Sequence, residues 1–208
     1  MYNKCIWRDV KMKHEATTLM TKTALAASLK KYMEKKSLSK ISVREIIEDC
    51  GVNRKTFYYH FQDINDLVKW MFEQEAIEVV KQYDLMINYE DAIRFAMDYI
   101  EKNKHVCNCA FDALGRDELK RFFYKDFIGI MGSIVDQFAE GLKVPQDYKV
   151  FVINLYTEAL ASFLIDWIRN KDNRDKEKVI KYISITLFGT IKSSLVTAEA
   201  EINERSGD

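Results

Sequence analysis

The chain has 208 residues, 48% of them hydrophobic and 31% charged, with 32 Lys and Arg balanced by 32 Asp and Glu. This is an ordinary globular balance, able to bury a core in one large domain or in a small one joined to a larger one. No uninterrupted apolar run approaches the roughly 18 residues of a membrane span. Charges also break up the N-terminal MYNKCIWRDVKMKHE, so neither an anchor nor a secretory leader is expected.

Four cysteines, at 5, 50, 107 and 109, lack the spacing of a disulfide framework and fit a reducing cytoplasm. A single proline and seven glycines leave few chain breaks, which predicts an all-α fold. The charge is unevenly divided. Residues 1–62 hold 13 Lys and Arg against 6 Asp and Glu, while residues 63–208 hold 19 against 26. A basic front end and an acidic remainder point to one segment made for a polyanion and another made for something else.

In chain order, residues 1–13 form a basic tail through Lys4, Arg8, Lys11 and Lys13. From about Thr17 to Lys36 an amphipathic helix places Leu25, Leu29 and Met33 on one face. Ser42-Val43-Arg44-Glu45 has the form of a capping box ahead of Ile46, Ile47 and Cys50. Gly51 ends that short helix, and Asn53 is suited to cap the next one, which runs to about Phe61. Asp63 caps a fourth helix through Leu67, Trp70 and Met71 that carries on to about Tyr83. Further helices are predicted at about Asp91–Lys104, Asp117–Leu142, Gln146–Asn170 and Arg174–Thr197, with the polar run NKDNRDKEK as a turn and the C-terminal EINERSGD fraying.

Two short helices joined by a glycine turn, Ser42–Cys50 and Asn53–Phe61, have the pattern of a helix-turn-helix. Ile46, Cys50, Val52, Phe57 and Phe61 are its apolar lock. Arg54, Lys55, Tyr58, Tyr59 and His60 are left for an outer face that can enter a major groove. Arg and Lys donate to guanine O6 and N7, whereas Thr, Tyr and His reach phosphate oxygens.

The stretch ISVREIIEDCGVNRKTFYYHFQDINDL resembles the DNA-binding signature of the TetR/AcrR family of bacterial transcriptional regulators. Its TFYYHFQDI-x-DL variant is similar to regulators of the dihydroxyacetone-kinase activator type. The resemblance implies that Arg44 approaches the groove, that Asn53, Arg54 and Lys55 read bases, and that Thr56, Tyr58, Tyr59 and His60 grip the backbone or adjacent bases. Two positions depart from the family pattern. Ile47 replaces a usual small alanine, and Ile64 replaces a frequent phosphate-binding lysine.

Other clusters weigh less. His105, Cys107 and Cys109 sit in one short segment that cannot easily complete a tetrahedral shell, so no metal or other cofactor is expected. There is no catalytic constellation and no phosphate-cradling glycine loop, so an enzyme is not expected. Trp70, Phe95, Phe123, Phe127 and Met131 are the candidates for an effector pocket, although rings at helical spacing more often form plain core.

The domains expected are a tail at 1–13, a helix-turn-helix domain at 14–62, and a helical regulatory and dimerisation domain at 63–208. The expected partners are a double-stranded DNA operator, a second copy of the chain, and either a small apolar effector or a regulatory protein, with no membrane. Residues 150–168, VFVINLYTEALASFLIDWI, confine their polar side chains to a narrow stripe, Asn154, Glu158, Ser162 and Asp166, continued by Arg169. The last helix offers Gly189, Ser193 and Thr197 for close approach, so these two helices are the predicted dimer contact. The expected function is a ligand-responsive repressor working as a homodimer on a pseudo-palindrome. The alternatives are an activator controlled by a protein partner, or a helical binding module without DNA affinity.

Overall fold

The computed structural model describes residues 3–82, 89–169 and 175–206, with side chains described for 15–78, 80–82, 90–169 and 175–201. All regular structure among them is helical. The chain divides into two compact units, Met1–Gln74 and Glu75–Asp208.

The first unit contains α1 (Asn3–Met33), a single 3-10 turn at Leu38–Lys40, α2 (Val43–Cys50), α3 (Arg54–His60) and α4 (Ile64–Phe72). The first helix starts far earlier than the apolar pattern predicts, so most of the expected tail lies within it. The side chains of Lys4, Arg8, Lys11 and Lys13 lie outside the described ones. From α1, Leu25, Leu29 and Met33 are fully buried, as are Ile46 of α2, Phe57 of α3 and Leu67 and Met71 of α4, with α1 packed on α2 and α4 and α2 on α3. Spacings of three and four residues bring these side chains onto single faces, and burying each large one stabilises the fold by about 1.5–3 kcal/mol.

The second unit contains α5 (Glu78–Val80), α6 (Tyr89–Lys102), α7 (Lys104–Phe138), α8 (Gln146–Arg169), α9 (Lys176–Ser184) and α10 (Thr190–Ser206). One cluster of its buried core is Met131, Val135, Ala139, Val152, Leu187, Ile191 and Leu195. Residues 104–116, for which no element was expected, are helical and bury Val106, Cys107, Cys109 and Ala110. A kink at Gly115, with φ at 78°, separates this segment from the long apolar stripe that follows. Only a residue without Cβ holds that backbone cheaply. The expected turn around residues 170–174 lies outside the described residues.

Two π-turns interrupt helices expected to be regular: Glu73–Ile77, just after α4, and Ile185–Gly189, between α9 and α10. A π-turn holds one residue more than an α-turn, so side chains beyond it change face. Helical periodicity along the sequence gives no sign of either.

Gln146–Arg169 and Lys176–Glu201 are long and apolar enough to cross a membrane by length and composition, although no uninterrupted apolar run of that length exists. Both are two-faced helices with one side packed in the unit. On α8 the polar stripe is engaged by α7. Asn154 accepts a hydrogen bond from the Tyr124 hydroxyl at 2.5 Å, Glu158 pairs with Lys120 at 2.5 Å, and Arg169 pairs with Asp112 at 3.0 Å. The side left open is apolar: Phe151 and Leu155 are 58% and 52% exposed, as are Tyr182 and Ile185 of the last helices at 55% and 59%.

Candidate nucleic-acid interface and apolar cavity

The helix-turn-helix is held by caps that the local sequence supplies. Ser42 and Glu45 form a reciprocal capping box: the Glu45 amide donates to the Ser42 hydroxyl at 3.3 Å, and the Ser42 amide donates to the Glu45 carboxylate at 2.9 Å. A hydrogen bond from Lys36, followed by those from the Ser42 amide and hydroxyl, holds the Glu45 carboxyl down at about 2 against its usual 4.5. Gly51 closes α2 in the left-handed region at φ 65°, a conformation that costs a side-chain-bearing residue steric strain. The Asp63 carboxylate caps α4 by accepting from the Asp66 amide at 2.8 Å.

On α3, Phe57 and Phe61 point into the core. Arg54, Lys55, Tyr58 and Tyr59 share the opposite face and are exposed, Tyr59 to 71%. The Arg54 guanidinium lies over the Tyr58 ring, 5.4 Å from its centre, and donates to the Tyr58 hydroxyl at 3.3 Å. This i,i+4 pairing preorders a cation and a phenol on one surface. The Asn53 side chain is occupied as the α3 cap, accepting from the Thr56 amide at 2.9 Å and from its hydroxyl at 3.1 Å. Thr56 and His60 therefore sit on the flank, both half-buried, with His60 edge-on to Tyr59 at 4.8 Å.

Arg44 is exposed near the start of α2 and is held by Glu48 at 2.7 Å. Glu45 and Asp49 of the same helix are matched by Lys36 and Lys31, each at 2.5 Å. These pairings escaped the sequence reading because the lysines come from 9 and 18 residues away, Lys31 from α1 and Lys36 from the segment just after it. Their effect is electrostatic. The carboxylates of α2 are met by cations, so the exposed face of α3 keeps its positive character. Where the family often places a lysine, Ile64 is half-buried.

The second unit contains a cavity of about 120 Å³. Phe127 and Met131 line it, together with Val80, Ile93, Met97, Ile130, Trp167, Leu187 and Phe188. Phe123 stacks on Phe127 at 5.8 Å without lining the cavity, and Phe95 does not line it either. Trp70 belongs to the first unit, where it meets Phe61 edge-on at 5.8 Å and the Lys22 ammonium lies 5.6 Å from its ring centre. The helical stripe of α7 thus accounts for the two residues that do face the cavity. Ile130 and Ile134 of the same helix line it as well, and the others come from α5, α6, α8, α9 and the second π-turn, whose juxtaposition no local pattern encodes.

A capped helix-turn-helix followed by a larger helical unit defines the class of all-α transcriptional regulators. Residues 26–71 match the model described as "Bacterial regulatory proteins, tetR family", and residues 88–189 match "Transcriptional regulator C-terminal region". The two matches cover more than two thirds of the chain. The chain belongs to the TetR family; it is a transcriptional regulator and not an enzyme.

Among curated proteins, it is 24% identical over 87 residues to the HTH-type dhaKLM operon transcriptional activator DhaS of Lactococcus lactis. That match spans 42% of this chain and 46% of the activator, about half of the relative's length. Two solved structures share the fold. The dihydroxyacetone kinase operon activator DhaS aligns with a TM-score of 0.65 at 19% identity, over 84% of this chain and 97% of its own. NalD, the secondary repressor of the MexAB-OprM multidrug efflux pump in Pseudomonas aeruginosa, aligns with a TM-score of 0.54 at 19% identity, over 82% and 96%.

Proposed function

We propose that the protein is a sequence-specific DNA-binding regulator that acts as a homodimer on a pseudo-palindromic operator. The observation that carries this reading is the surface of α3, where Arg54, Lys55, Tyr58 and Tyr59 are exposed together above the buried Phe57 and Phe61. Arg44 joins them from α2, while Asn53, Thr56 and His60 frame the helix. The Asn53 amide acts first as a cap and offers DNA only its remaining hydrogen-bonding capacity. A site of action on DNA places the protein in the cytoplasm.

Dimerisation runs through α8 and the α9–α10 pair. Asn154, Glu158 and Arg169 of α8 are engaged with α7, and large apolar side chains stand exposed: Phe151 and Leu155, with Tyr182, Ile185 and Val196 from the last helices. Large apolar surface of this kind marks an association site. A two-fold axis through it would present two α3 helices to half-sites about 34–36 Å apart, or a multiple of that. Regulation passes along residues 64–80. Their first part, α4, belongs to the DNA-reading unit, and Val80 at their end lines the cavity of the second unit.

The favoured mode is repression relieved by an effector. The likeness to DhaS, named as an activator, favours a second reading, activation in place of repression. A reporter carrying the operator separates the two, because deleting the regulator raises expression in the first case and lowers it in the second.

The DNA reading is tested by titrating Arg54→Ala, Lys55→Ala and the double variant against matched and scrambled operators at fixed salt. Each single change should weaken specific binding by about 1–3 kcal/mol where a good base contact is lost. Tyr58→Phe and His60→Ala should weaken binding evenly across sequences, because phosphate contacts carry no base information. Unchanged affinity in the double variant removes α3 from the groove.

A further inference from the structure

We infer that the N-terminal half of α1 is a second DNA-contacting element, a cationic overhang that grips duplex phosphates beside the helix-turn-helix. The inference rests on the DNA-binding reading and adds to it residues that the helix-turn-helix does not contain.

The course of α1 follows from its contacts with α2. At the end of α2 the Cys50 thiol donates to the Ala24 carbonyl at 3.3 Å. Nearer the start of α2 the Ile46 carbonyl accepts from the Ser28 hydroxyl at 3.4 Å, and Glu45 meets Lys36, just beyond α1. The two helices therefore run antiparallel, and Ala24 draws level with the last residue before the Gly51 turn. Residues 3–23 of α1 continue past that level, an overhang of about 30 Å at the helical rise per residue.

Composition and register make the overhang cationic. Residues 3–23 hold Lys4, Arg8, Lys11, Lys13 and Lys22 against Asp9 and Glu15. Alternating steps of four and three residues align positions 4, 8, 11, 15, 18 and 22 in one row along the helix. Lys4, Arg8, Lys11 and Lys22 therefore share a row that only Glu15 opposes in charge. Lys22 marks where this row meets the rest of the unit. Its ammonium lies 5.4 Å from the centre of the Phe61 ring, which closes α3, and 5.6 Å from that of Trp70 in α4.

That seat holds a cation without neutralising it, because an aromatic face attracts charge through its quadrupole and carries no net charge of its own. Among the described residues no carboxylate pairs with Lys22. Lys31 and Lys36 differ, since Asp49 and Glu45 match them. The Lys22 ammonium is thus fixed in place with its charge left for an outside anion. A row of cations along a straight helix suits a polyanion with evenly spaced charges, and B-DNA carries one per about 1.7 Å of its axis. Continuity with α3 makes that polyanion the duplex that α3 reads.

The full chain is titrated by fluorescence anisotropy against a labelled scrambled duplex of about 40 base pairs over a salt series, because phosphate contacts need no operator. Each phosphate contact contributes about 0.9 to the slope of log affinity against log salt. Lys22→Met, which keeps an apolar stem over the rings, should make the slope shallower by about 0.9 per bound protomer, and Lys22→Arg should retain the parental value. Combining Lys4→Gln, Arg8→Gln and Lys11→Gln should remove about 2–3, whereas the charge-keeping K4R/R8K/K11R should remove nothing. Helix signal and thermal midpoint should match the parent throughout, which separates lost charge from lost fold. In the parent itself, the duplex should slow acetylation of Lys4, Lys11 and Lys22 by several-fold, a readout that depends on no variant. An unchanged slope in the triple variant, or acetylation at the rate of the free protein, overturns the overhang as a DNA element. An unchanged slope in Lys22→Met overturns the seated ammonium as an anchor. The Arg54→Ala, Lys55→Ala double variant on the same duplex reports on α3 separately. A slope that falls there and in no α1 variant leaves the DNA reading standing and removes α1 from it, whereas a parent chain without affinity for the duplex removes both.

Discussion

The two units solve opposite problems with the same kind of helix. In the first, short helices are capped at the turns by Ser42, Asn53 and Asp63, and the core around Leu25, Leu29, Ile46 and Phe57 is fully closed. In the second, long helices line a hollow, α7 kinks at Gly115 and a π-turn precedes α10. A DNA reader must hold a few side chains in fixed register, which rewards a sealed core and satisfied helix ends. A regulatory and assembly unit must respond, which requires alternatives close in free energy and surface not yet buried. The difference teaches where rigidity is spent: beneath α3, and not beneath the cavity.

That contrast can be tested directly with matched truncations. Phe57→Ala removes a fully buried ring and should destabilise the first unit by about 3–5 kcal/mol, enough to abolish operator binding. Phe127→Ala removes a half-buried ring from a wall that is already hollow, and should cost less than half as much. Chemical denaturation of the two variants, followed by helix signal, compares them. Equal costs would mean that the second unit is packed as tightly as the first.

The open apolar face is the next target. Ile185→Lys should weaken self-association by about 3 kcal/mol, more than a hundredfold, if that side chain is desolvated between two copies. Sedimentation across a concentration series would show it, and operator affinity should fall with it. A variant that stays dimeric moves the contact elsewhere.

The smallest effect expected lies in the capping box. Glu45 has a depressed carboxyl in the folded chain, so the unfolded chain takes up its proton first as the pH falls. The stability it contributes is complete above about 4.5 and is lost progressively toward about 2. Glu45→Gln should lower thermal stability at neutral pH, and the profiles of variant and parent should converge as the pH falls toward about 2. A parent chain and variant with parallel acid profiles would show that the box contributes nothing at these pH values.

Much of the first unit was legible in the sequence because its signals are local. A capping serine three residues before a glutamate, a glycine between two short helices, and rings at positions 57 and 61 each act within one turn or two. The second unit was legible as helices and not as a site. The sequence showed a narrow polar stripe on α8 but not its partners: Asn154 and Glu158 engage Tyr124 and Lys120, 30 and 38 residues back along the chain. Of the rings and methionine named for an effector pocket, the cavity gathers Phe127 and Met131 and leaves out Trp70, Phe95 and Phe123.

By itself, the sequence determined the all-α class, the helix-turn-helix and the exposed chemistry of α3, because periodicity and capping are properties of neighbouring residues. Tertiary structure alone decided the length of α1, the pairing of the α2 carboxylates with lysines of the preceding segment, and the π-turns. It alone decided, too, which side chains enclose the hollow. Those features arise when helices distant in the chain compete for the same space, and helical periodicity says which face a residue occupies without saying what will meet it.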